Sequence, residues 1–306
     1  MEEKEIDLRE LLKVIWDRRV SLLTIVFIGS LFSVIYSISL PNMYSASALL
    51  APSGNSGGLG DGFQQYSGLA GLAGISLPGN NQASKSDIAI EVMQSRIFVE
   101  KLISRHKILP QLIAAEYWDD SARELVLDPE QYDEKNGKWV REVDPPKKLE
   151  PSAQEAHEAL RAITSIEEDK ETTFVTLRVE HQSPVFAKNL VTWMVNDVNE
   201  MVRQKEIEQA KESIEYLRRQ ASDTSLADLE QVLFELIQSQ IQKMMLAEVR
   251  RDYVFETLDP AVVAELKTGP SRSIISISGL LLSVFIAVIY VFSRFFFEER
   301  RLFDKS

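Results

Sequence analysis

Two long runs of uncharged, mostly apolar residues constrain this chain more than any other feature of its sequence. The first reads VSLLTIVFIGSLFSVIYSISL over residues 20–40, and the second reads IISISGLLLSVFIAVIYVF over residues 274–292. At a rise of about 1.5 Å per residue, a helix of either length crosses the hydrocarbon core of a bilayer. The sequence therefore predicts two transmembrane helices, with residues 41–273 forming a single domain between them.

The first run could instead be a cleaved signal peptide, because such peptides also carry an apolar segment near the N-terminus. Its apolar core is longer than the usual length of about 7 to 15 residues. The nearest motif suited to cleavage, Ala46-Ser47-Ala48, lies beyond Pro41. We favour an uncleaved span that ends at Pro41, which has no amide hydrogen for a continuing helix.

Lysine and arginine are concentrated at the outer flanks of the two runs. Positive residues near a span are retained on the cytoplasmic side. The outer flanks hold nine of them, Lys4, Arg9, Lys13, Arg18, Arg19, Arg294, Arg300, Arg301 and Lys305. On the inner flanks, residues 41–84 contain none and residues 255–273 contain only Lys267 and Arg272. We therefore expect residues 1–19 and 293–306 to be cytoplasmic and residues 41–273 to be extracytoplasmic.

The composition of the central domain argues against several classes of function. Residues 41–271 contain 24 basic and 37 acidic side chains, a formal charge of −13, which repels nucleic acid. The chain has no cysteine, so it has no disulfide and no thiolate metal site. Its three histidines, His106, His157 and His181, lack the spacing of a helical zinc motif, and no GxSxG or nucleotide motif is present. We expect no catalytic, metal-binding or cofactor-binding residues.

Local patterns predict a mixed succession of strands and helices in the first part of the domain. Residues 54–79 hold nine of the thirteen glycines, which indicates a mobile loop more than a phosphate cradle, since the P-loop and dinucleotide motifs are incomplete. Residues 116–148 are polar and are expected to cross the surface. The remaining predictions are strands at 44–51 and 172–181, a helix capped by Ser86, and a helix beginning with a capping box of Ser152 and Glu155.

The second part of the domain is dominated by two long helical patterns. Ser183-Pro184 is a strong helix start, and apolar residues at a spacing of three or four continue to about residue 220. A second stripe runs to Val249, with Ser225 as a possible cap. The two could form one rod or a hairpin. We favour a hairpin over about residues 184–250, turning at 221–224, because the strand predicted at 253–259 must return to the sheet.

Five segments of the sequence resemble the polysaccharide co-polymerases, also called Wzz or chain-length determinant proteins. They are IDLRELLKVIWDRRVSLL, SASALLAPSG, SDIAIEVMQSRIFVEKLISRHKILPQLIAAEYWD, YLRRQASDTSLADLEQVLFELIQSQIQKMMLAEVRRDYVFETLDPA and TGPSRSII. The resemblance implies an α+β fold, with two transmembrane helices flanking a periplasmic domain that has a membrane-proximal α/β base and a long helical hairpin. It also implies a ring-shaped, octameric homo-oligomer in the bacterial inner membrane.

One departure from the family pattern lies before the second span. This chain keeps Pro260 and Pro270 of the family's proline series but has Ala264 where a further proline is expected. We expect the prolines to fix the path into the span, with Arg272 at the headgroup level. Gly279 and Ser283 form a small-xxx-small face. That face could contact a partner helix, or it could pack against Gly29 and Ser33 of the first span.

These features lead to one main functional hypothesis and two rivals. The main hypothesis is a non-enzymatic regulator of the modal chain length of a lipid-linked surface polysaccharide, such as the O antigen of lipopolysaccharide. It would act as an oligomeric scaffold on the membrane polymerase, and a contact with the lipid-linked polysaccharide is possible. The first rival is a transmembrane adaptor for a separate tyrosine kinase in capsule or exopolysaccharide export. The second rival is a ligand sensor with two spans. We disfavour it because neither predicted cytoplasmic tail is long enough to hold a signalling domain.

Overall fold

The structure, a computed structural model, describes Trp16 and residues 19–53, 84–223 and 227–303, with only the backbone of residues 227–229 and 295–303. The predicted glycine-rich loop and the Ser225 cap lie outside these residues. The chain folds as two compact units, Tyr44–Leu266 and the pairing of Met1–Met43 with Lys267–Ser306. The helices are α1 (Arg19–Ser39), α2 (Lys85–Met93), α3 (Arg96–His106), α4 (Leu109–Ile113), α5 (Ala153–Ile163), α6 (Pro184–Asp223), α7 (Ala227–Val249) and α8 (Arg272–Phe303). The strands are β1 (Tyr44–Pro52), β2 (Ala115–Asp119), β3 (Glu124–Leu127), β4 (Tyr132–Asp133), β5 (Lys138–Trp139), β6 (Thr164–Glu168), β7 (Val175–His181) and β8 (Phe255–Asp259).

A four-stranded antiparallel sheet organises the larger unit, in the order β6-β7-β1-β8. It joins the three segments predicted as strands from the sequence, which confirms that residues 255–259 return to the strand that follows the first apolar run. Strand β7 is shorter than predicted, because residues 169–174 form a turn in which Asp169 accepts the N–H groups of Glu171 and Thr172. Alternate side chains of β7 are fully buried, as period-two alternation predicts.

Helix α6 covers the buried face of this sheet. It begins where Ser183 caps it, with the Ser183 hydroxyl accepting the N–H of Phe186 at 3.2 Å, as the Ser-Pro signal predicts. Its buried residues follow the helical spacing of three and four and pack against β1 and β7; they are Leu190, Val191, Met194 and Val198. The first turns of the long helix therefore belong to the hydrophobic core.

Beyond the sheet, α6 continues to Asp223 and packs along α7. The contact buries Ile207, Ala210 and Ile214 on α6 together with Ile237 and Ala247 on α7. The two helices thus form the hairpin that the sequence favours over a single rod, and α6 runs three residues past the predicted end at residue 220.

Asn199 links α6 to the last strand of the sheet. Its side-chain oxygen accepts the N–H groups of Val254 and Phe255, both at 2.9 Å, and its side-chain nitrogen donates to the Phe255 carbonyl at 2.9 Å. Asn199 is buried, so these polar groups satisfy one another away from water. The Asn199 side chain therefore fixes the start of β8 against α6.

The helix predicted from Ser86 is the clearest correction to the sequence analysis. Ser84, not Ser86, is the N-cap, because Asp87 three residues later returns a hydrogen bond and completes a capping box. Ser86 lies inside α2, where it is buried and its hydroxyl meets that of Ser84 at 2.6 Å. The predicted single helix is also two helices, because Ser95 starts α3 by accepting the N–H of Phe98.

Two small hairpins, β2-β3 and β4-β5, lie between Ala115 and Trp139, whereas the sequence predicts only that residues 116–148 cross the surface. Arg141 fixes the end of this segment. Its guanidinium donates to the carbonyls of Lys148 and Leu149 at 2.8 Å and to both carboxylate oxygens of Glu155 at 2.9 Å. Glu155 also accepts the N–H of Ser152, in the predicted capping box. We call this group of contacts the arginine clamp.

The arginine clamp gives a pH-dependent prediction for Glu155. Hydrogen bonds from Arg141 and from the Ser152 backbone lower the pKa of Glu155 to about 2, from its usual value of 4.5. Because the folded state lowers this pKa, the stabilisation is complete above about pH 4.5 and is lost as the pH falls through about 2. Glu155→Gln should therefore flatten the decline in thermal stability over that range. Glu158→Gln, at an exposed position of the same helix, is the control, and equal slopes for both variants would contradict the assignment.

Candidate membrane and partner site

The residues proposed for membrane approach and partner contact fall in both units. Pro260 belongs to the unit Tyr44–Leu266, whereas Pro270, Arg272, Gly279 and Ser283 belong to the unit that contains the two apolar helices. Helices α1 and α8 are both long and apolar enough to cross a membrane. The second helix extends beyond the apolar run, since α8 continues to Phe303.

Gly279 and Ser283 lie at the contact between α1 and α8. A Cβ atom added to Gly279 would stand 2.0 Å from the Ser33 hydroxyl oxygen, and one added to Gly29 would stand 2.5 Å from the Ser283 Cβ. Each glycine therefore lets the opposing serine approach its helix closely, as small residues do between membrane helices. Of the two alternatives left open by the sequence, the structure has this face packed against the first apolar helix. A contact of Gly279 and Ser283 with another protein stays a prediction.

Serine hydroxyls join the same two helices by hydrogen bonds. Ser33 donates to the Ile275 carbonyl and Ser37 donates to the Arg272 carbonyl, both at 3.1 Å. Both serines are buried, and Ser276 of α8 donates to the same Arg272 carbonyl at 2.9 Å. In an apolar environment, such bonds keep polar groups satisfied and set the register of the two helices.

The segments next to the two apolar helices are also bonded to each other. The Met43 N–H donates to the Gly269 carbonyl at 2.9 Å, and the Thr268 N–H donates to the Met43 carbonyl at 2.8 Å. The Asn42 side-chain oxygen accepts from Arg272 at 3.2 Å and from Lys267 at 3.3 Å. The chain leaving α1 and the chain approaching α8 therefore form one local structure, in which Arg272 is partly buried.

Pro260 follows β8 directly and is exposed. The next residues include Val262 and Leu266, whose side chains are 70% and 84% exposed. Ala264, at the position where the family pattern has proline, is half-buried. The role of Pro260 in directing the chain away from the sheet stays a prediction.

Two residues of this site were not identified from the sequence, Ser37 and Asn42. A signal for Ser37 was present, because Gly29, Ser33 and Ser37 recur at every fourth position of an otherwise apolar run. That spacing places them on one face of a helix. No comparable pattern marks Asn42, whose role depends on two cations more than 220 residues away in the sequence.

The histidines have structural partners in the described part of the chain. His106 stacks on Trp193 and contacts Asp197 at 3.0 Å, and His157 contacts the Gln94 carbonyl at 2.8 Å. His181 accepts the Ser183 N–H through Nδ1 and donates from Nε2 to the Gln111 carbonyl, and its burial lowers its pKa to about 4. Among the described residues, no group of three acidic or histidine side chains could hold a metal ion.

Comparison with known proteins finds a family match for the N-terminal third of the chain. Residues 4–106 match the family model described as Wzz, chain length determinant protein. No curated protein matches the sequence significantly. Among solved structures, the chain is similar to a full-length bacterial polysaccharide co-polymerase at 13% identity and a TM-score of 0.39, over 96% of this chain and 99% of that one. It is also similar to a fragment of WzzB, a polysaccharide co-polymerase from Salmonella Typhimurium, at 9% identity and a TM-score of 0.28, over 74% of this chain and 100% of the fragment. The family resemblance therefore rests on residues 4–106, which match the model of the Wzz family of chain length determinant proteins.

Proposed function

We propose that this protein sets the modal chain length of a lipid-linked surface polysaccharide, such as the O antigen of lipopolysaccharide, by acting on the membrane polymerase. The observation that carries the proposal is the match of residues 4–106 to the chain length determinant family. The protein acts as a regulator and scaffold, and the reaction itself belongs to the polymerase. The two helices able to span a bilayer agree with a partner in the same membrane.

Deletion of the gene tests this function directly. Gel display of lipopolysaccharide from the deletion strain should lose its modal band, and a plasmid copy of the wild-type gene should restore it. Loss of capsule or exopolysaccharide export with a normal modal band would instead support the kinase adaptor. Unchanged glycans of both kinds would reject the two functions together.

The proposal includes a topology with both termini in the cytoplasm and residues 41–273 in the periplasm. It rests on the nine basic residues at the outer flanks of the apolar runs. Reporter fusions should place Gln131 in the periplasm and Lys305 in the cytoplasm. A cytoplasmic Gln131 would overturn the topology.

The proposal also includes a homo-oligomer. Helix α7 exposes several large apolar side chains, Val232, Phe234, Leu236, Met245 and Leu246. Exposed apolar surface of this kind favours contact with another protein surface. We propose that other copies of the chain cover it, in a ring of the kind that the family resemblance implies. Detergent-solubilised protein should have the mass of a large homo-oligomer, whereas a monomeric mass under mild conditions would contradict the scaffold.

A further inference from the structure

An open pocket with aromatic walls lies where the β4-β5 hairpin meets the end of α3. Its volume is about 500 Å³, within the usual range for small-ligand sites of about 300 to 1,000 Å³. Six of its lining residues carry the argument, Lys107, Tyr132, Lys138, Trp139, Leu149 and Glu150. We call it the aromatic pocket. All of it belongs to the unit Tyr44–Leu266.

Two aromatic rings from a very short hairpin form one wall. Tyr132 and Trp139 are paired across β4 and β5, with ring centroids 5.1 Å apart and planes inclined by 63°. Both side chains are only partly buried. A hairpin with two residues in each strand has little stability of its own. Contacts outside the two strands are therefore needed to hold the aromatic pair in place.

Turn contacts fix this wall. Asp133 accepts the N–H groups of Lys135 and Asn136 and the side-chain nitrogen of Asn136. Gly137 then adopts a φ of 62°, which a glycine tolerates without strain. Asp128 accepts the side-chain nitrogen of Gln131 at 2.8 Å, immediately before Tyr132. The aromatic wall is therefore preorganised, which reduces the entropy lost when a ligand binds.

The arginine clamp fixes another part of the pocket lining. Because Arg141 binds the carbonyls of Lys148 and Leu149, it holds the chain that carries the Leu149 and Glu150 side chains into the pocket lining. The same guanidinium is bidentate to Glu155, with little of either side chain exposed. Bidentate pairs of this type are strong and geometrically specific. A segment that the sequence presents as irregular is thus held rigidly around a cavity.

Three charged groups at the aromatic pocket are free to meet a ligand. Among the described residues, the side chains of Lys107, Lys138 and Glu150 make no ion pair or side-chain hydrogen bond. The two ammonium groups can only donate hydrogen bonds, and the carboxylate can only accept them. The pocket therefore combines flat apolar surfaces with donors and an acceptor.

From this arrangement we infer that the aromatic pocket binds a sugar residue of the polysaccharide, an inference that rests on the proposed function. A pyranose ring has faces of C–H groups, which match the surfaces of Tyr132 and Trp139. Around its edge are hydroxyl groups that both donate and accept, which match Lys107, Lys138 and Glu150. The acidic surroundings disfavour a nucleic acid or another polyanion, since residues 41–271 carry a formal charge of −13. A largely uncharged glycan meets no such repulsion.

The test measures glycan binding to the detergent-solubilised full chain by calorimetry. The probe is the surface polysaccharide of the strain that carries the gene, released from its lipid by mild acid. Trp139→Leu should weaken binding about tenfold, and Trp139→Phe, which keeps an aromatic face, should retain more affinity than Trp139→Leu. Lys138→Gln should also weaken it. Trp118→Leu and Lys135→Gln are the controls, since both residues lie in the same segment but do not line the aromatic pocket.

Each result decides for or against the aromatic pocket separately from the proposed function. Weaker binding by Trp139→Leu and Lys138→Gln, with unchanged oligomer mass and thermal midpoint, supports the glycan site. The absence of binding by the wild-type chain, or equal affinity in pocket and control variants, overturns it. A changed oligomer mass without a change in glycan affinity assigns the surface to a second copy of the chain and also overturns it. Loss of the modal band on gene deletion would leave the proposed function standing in either case.

Discussion

Replacing Asn199 by alanine is expected to lower the free energy of unfolding by about 3 kcal/mol, because it removes three buried hydrogen bonds at once. The N–H groups of Val254 and Phe255 and the Phe255 carbonyl would lose their side-chain partner within the core. The damage falls where β8 begins, so it affects both the helical hairpin and the sheet. Thermal and denaturant unfolding of the detergent-solubilised chain, followed by tryptophan fluorescence, measures the loss.

Two variants control this experiment. Asn196→Ala changes the same residue type at an exposed position of the same helix, and it should leave stability unchanged or slightly higher, since alanine favours a helix. Asn199→Asp keeps an oxygen that accepts both N–H groups but places a second oxygen against the Phe255 carbonyl, so its stability should lie between the two alanine variants. An Asn199→Ala protein as stable as Asn196→Ala would contradict the role given to this amide.

The second large effect is expected from Gly279→Leu, which should separate the two apolar helices. A leucine side chain at this position overlaps Ser33, whose hydroxyl already lies 2.0 Å from the site of an added Cβ. The bonds from Ser33 to Ile275 and from Ser37 to Arg272 depend on the same close approach and should break with it. The separation therefore removes both interhelical hydrogen bonds together with the close packing of the two helices.

Disulfide trapping can measure this separation without interference, since the chain has no cysteine of its own. Ser37 and Ser276 donate to the same Arg272 carbonyl, so the Ser37→Cys and Ser276→Cys pair should cross-link readily. Gly279→Leu should lower the yield several-fold. Ser278→Leu adds the same bulk at an exposed position and should not lower it. Unchanged cross-linking in Gly279→Leu would show that the helices do not need the glycine.

The same variants address the partner contact predicted for Gly279 and Ser283. Co-purification of the polymerase and the modal chain length should be measured beside the cross-link. Lost capture and altered length with an intact cross-link would support a partner face on α8. Normal capture and length would leave Pro260 and Pro270 as residues that direct the chain, without a demonstrated contact to the polymerase.

Local patterns predicted those elements whose signals are complete within a few residues. The capping box of Ser152 and Glu155 and the Ser183-Pro184 start are both present, because each needs only neighbouring residues. The prediction of Ser86 as a cap was wrong, because Asp87 forms the reciprocal hydrogen bond of the capping box with Ser84. Apolar periodicity likewise predicted the two long helices but not the buried amide of Asn199, whose partners are more than fifty residues away.

The candidate sites also differ in how far the sequence predicts them. The contact of Gly279 with Ser33 was one of two alternatives in the sequence, and only the packing of the helices distinguishes them. The aromatic pocket could not be predicted, because strands of two residues carry no periodic signal and Arg141 finds its partners through the fold. Tyr132 and Trp139 lie seven residues apart in a polar segment. Nothing in the sequence indicates that their side chains pair across a hairpin.

The hydrogen bond from Ser33 to Ile275 has a consequence for biogenesis, because it joins residues 242 positions apart. At a synthesis rate of about 5 to 20 residues per second, the first apolar helix waits roughly 10 to 50 s before the second leaves the ribosome. During that interval the hydroxyls of Ser33 and Ser37 have no partner helix. They can bond back to carbonyls one turn earlier in their own helix, an option open to serine in a helix. Completion of the chain then exchanges those temporary bonds for the ones that join the two helices.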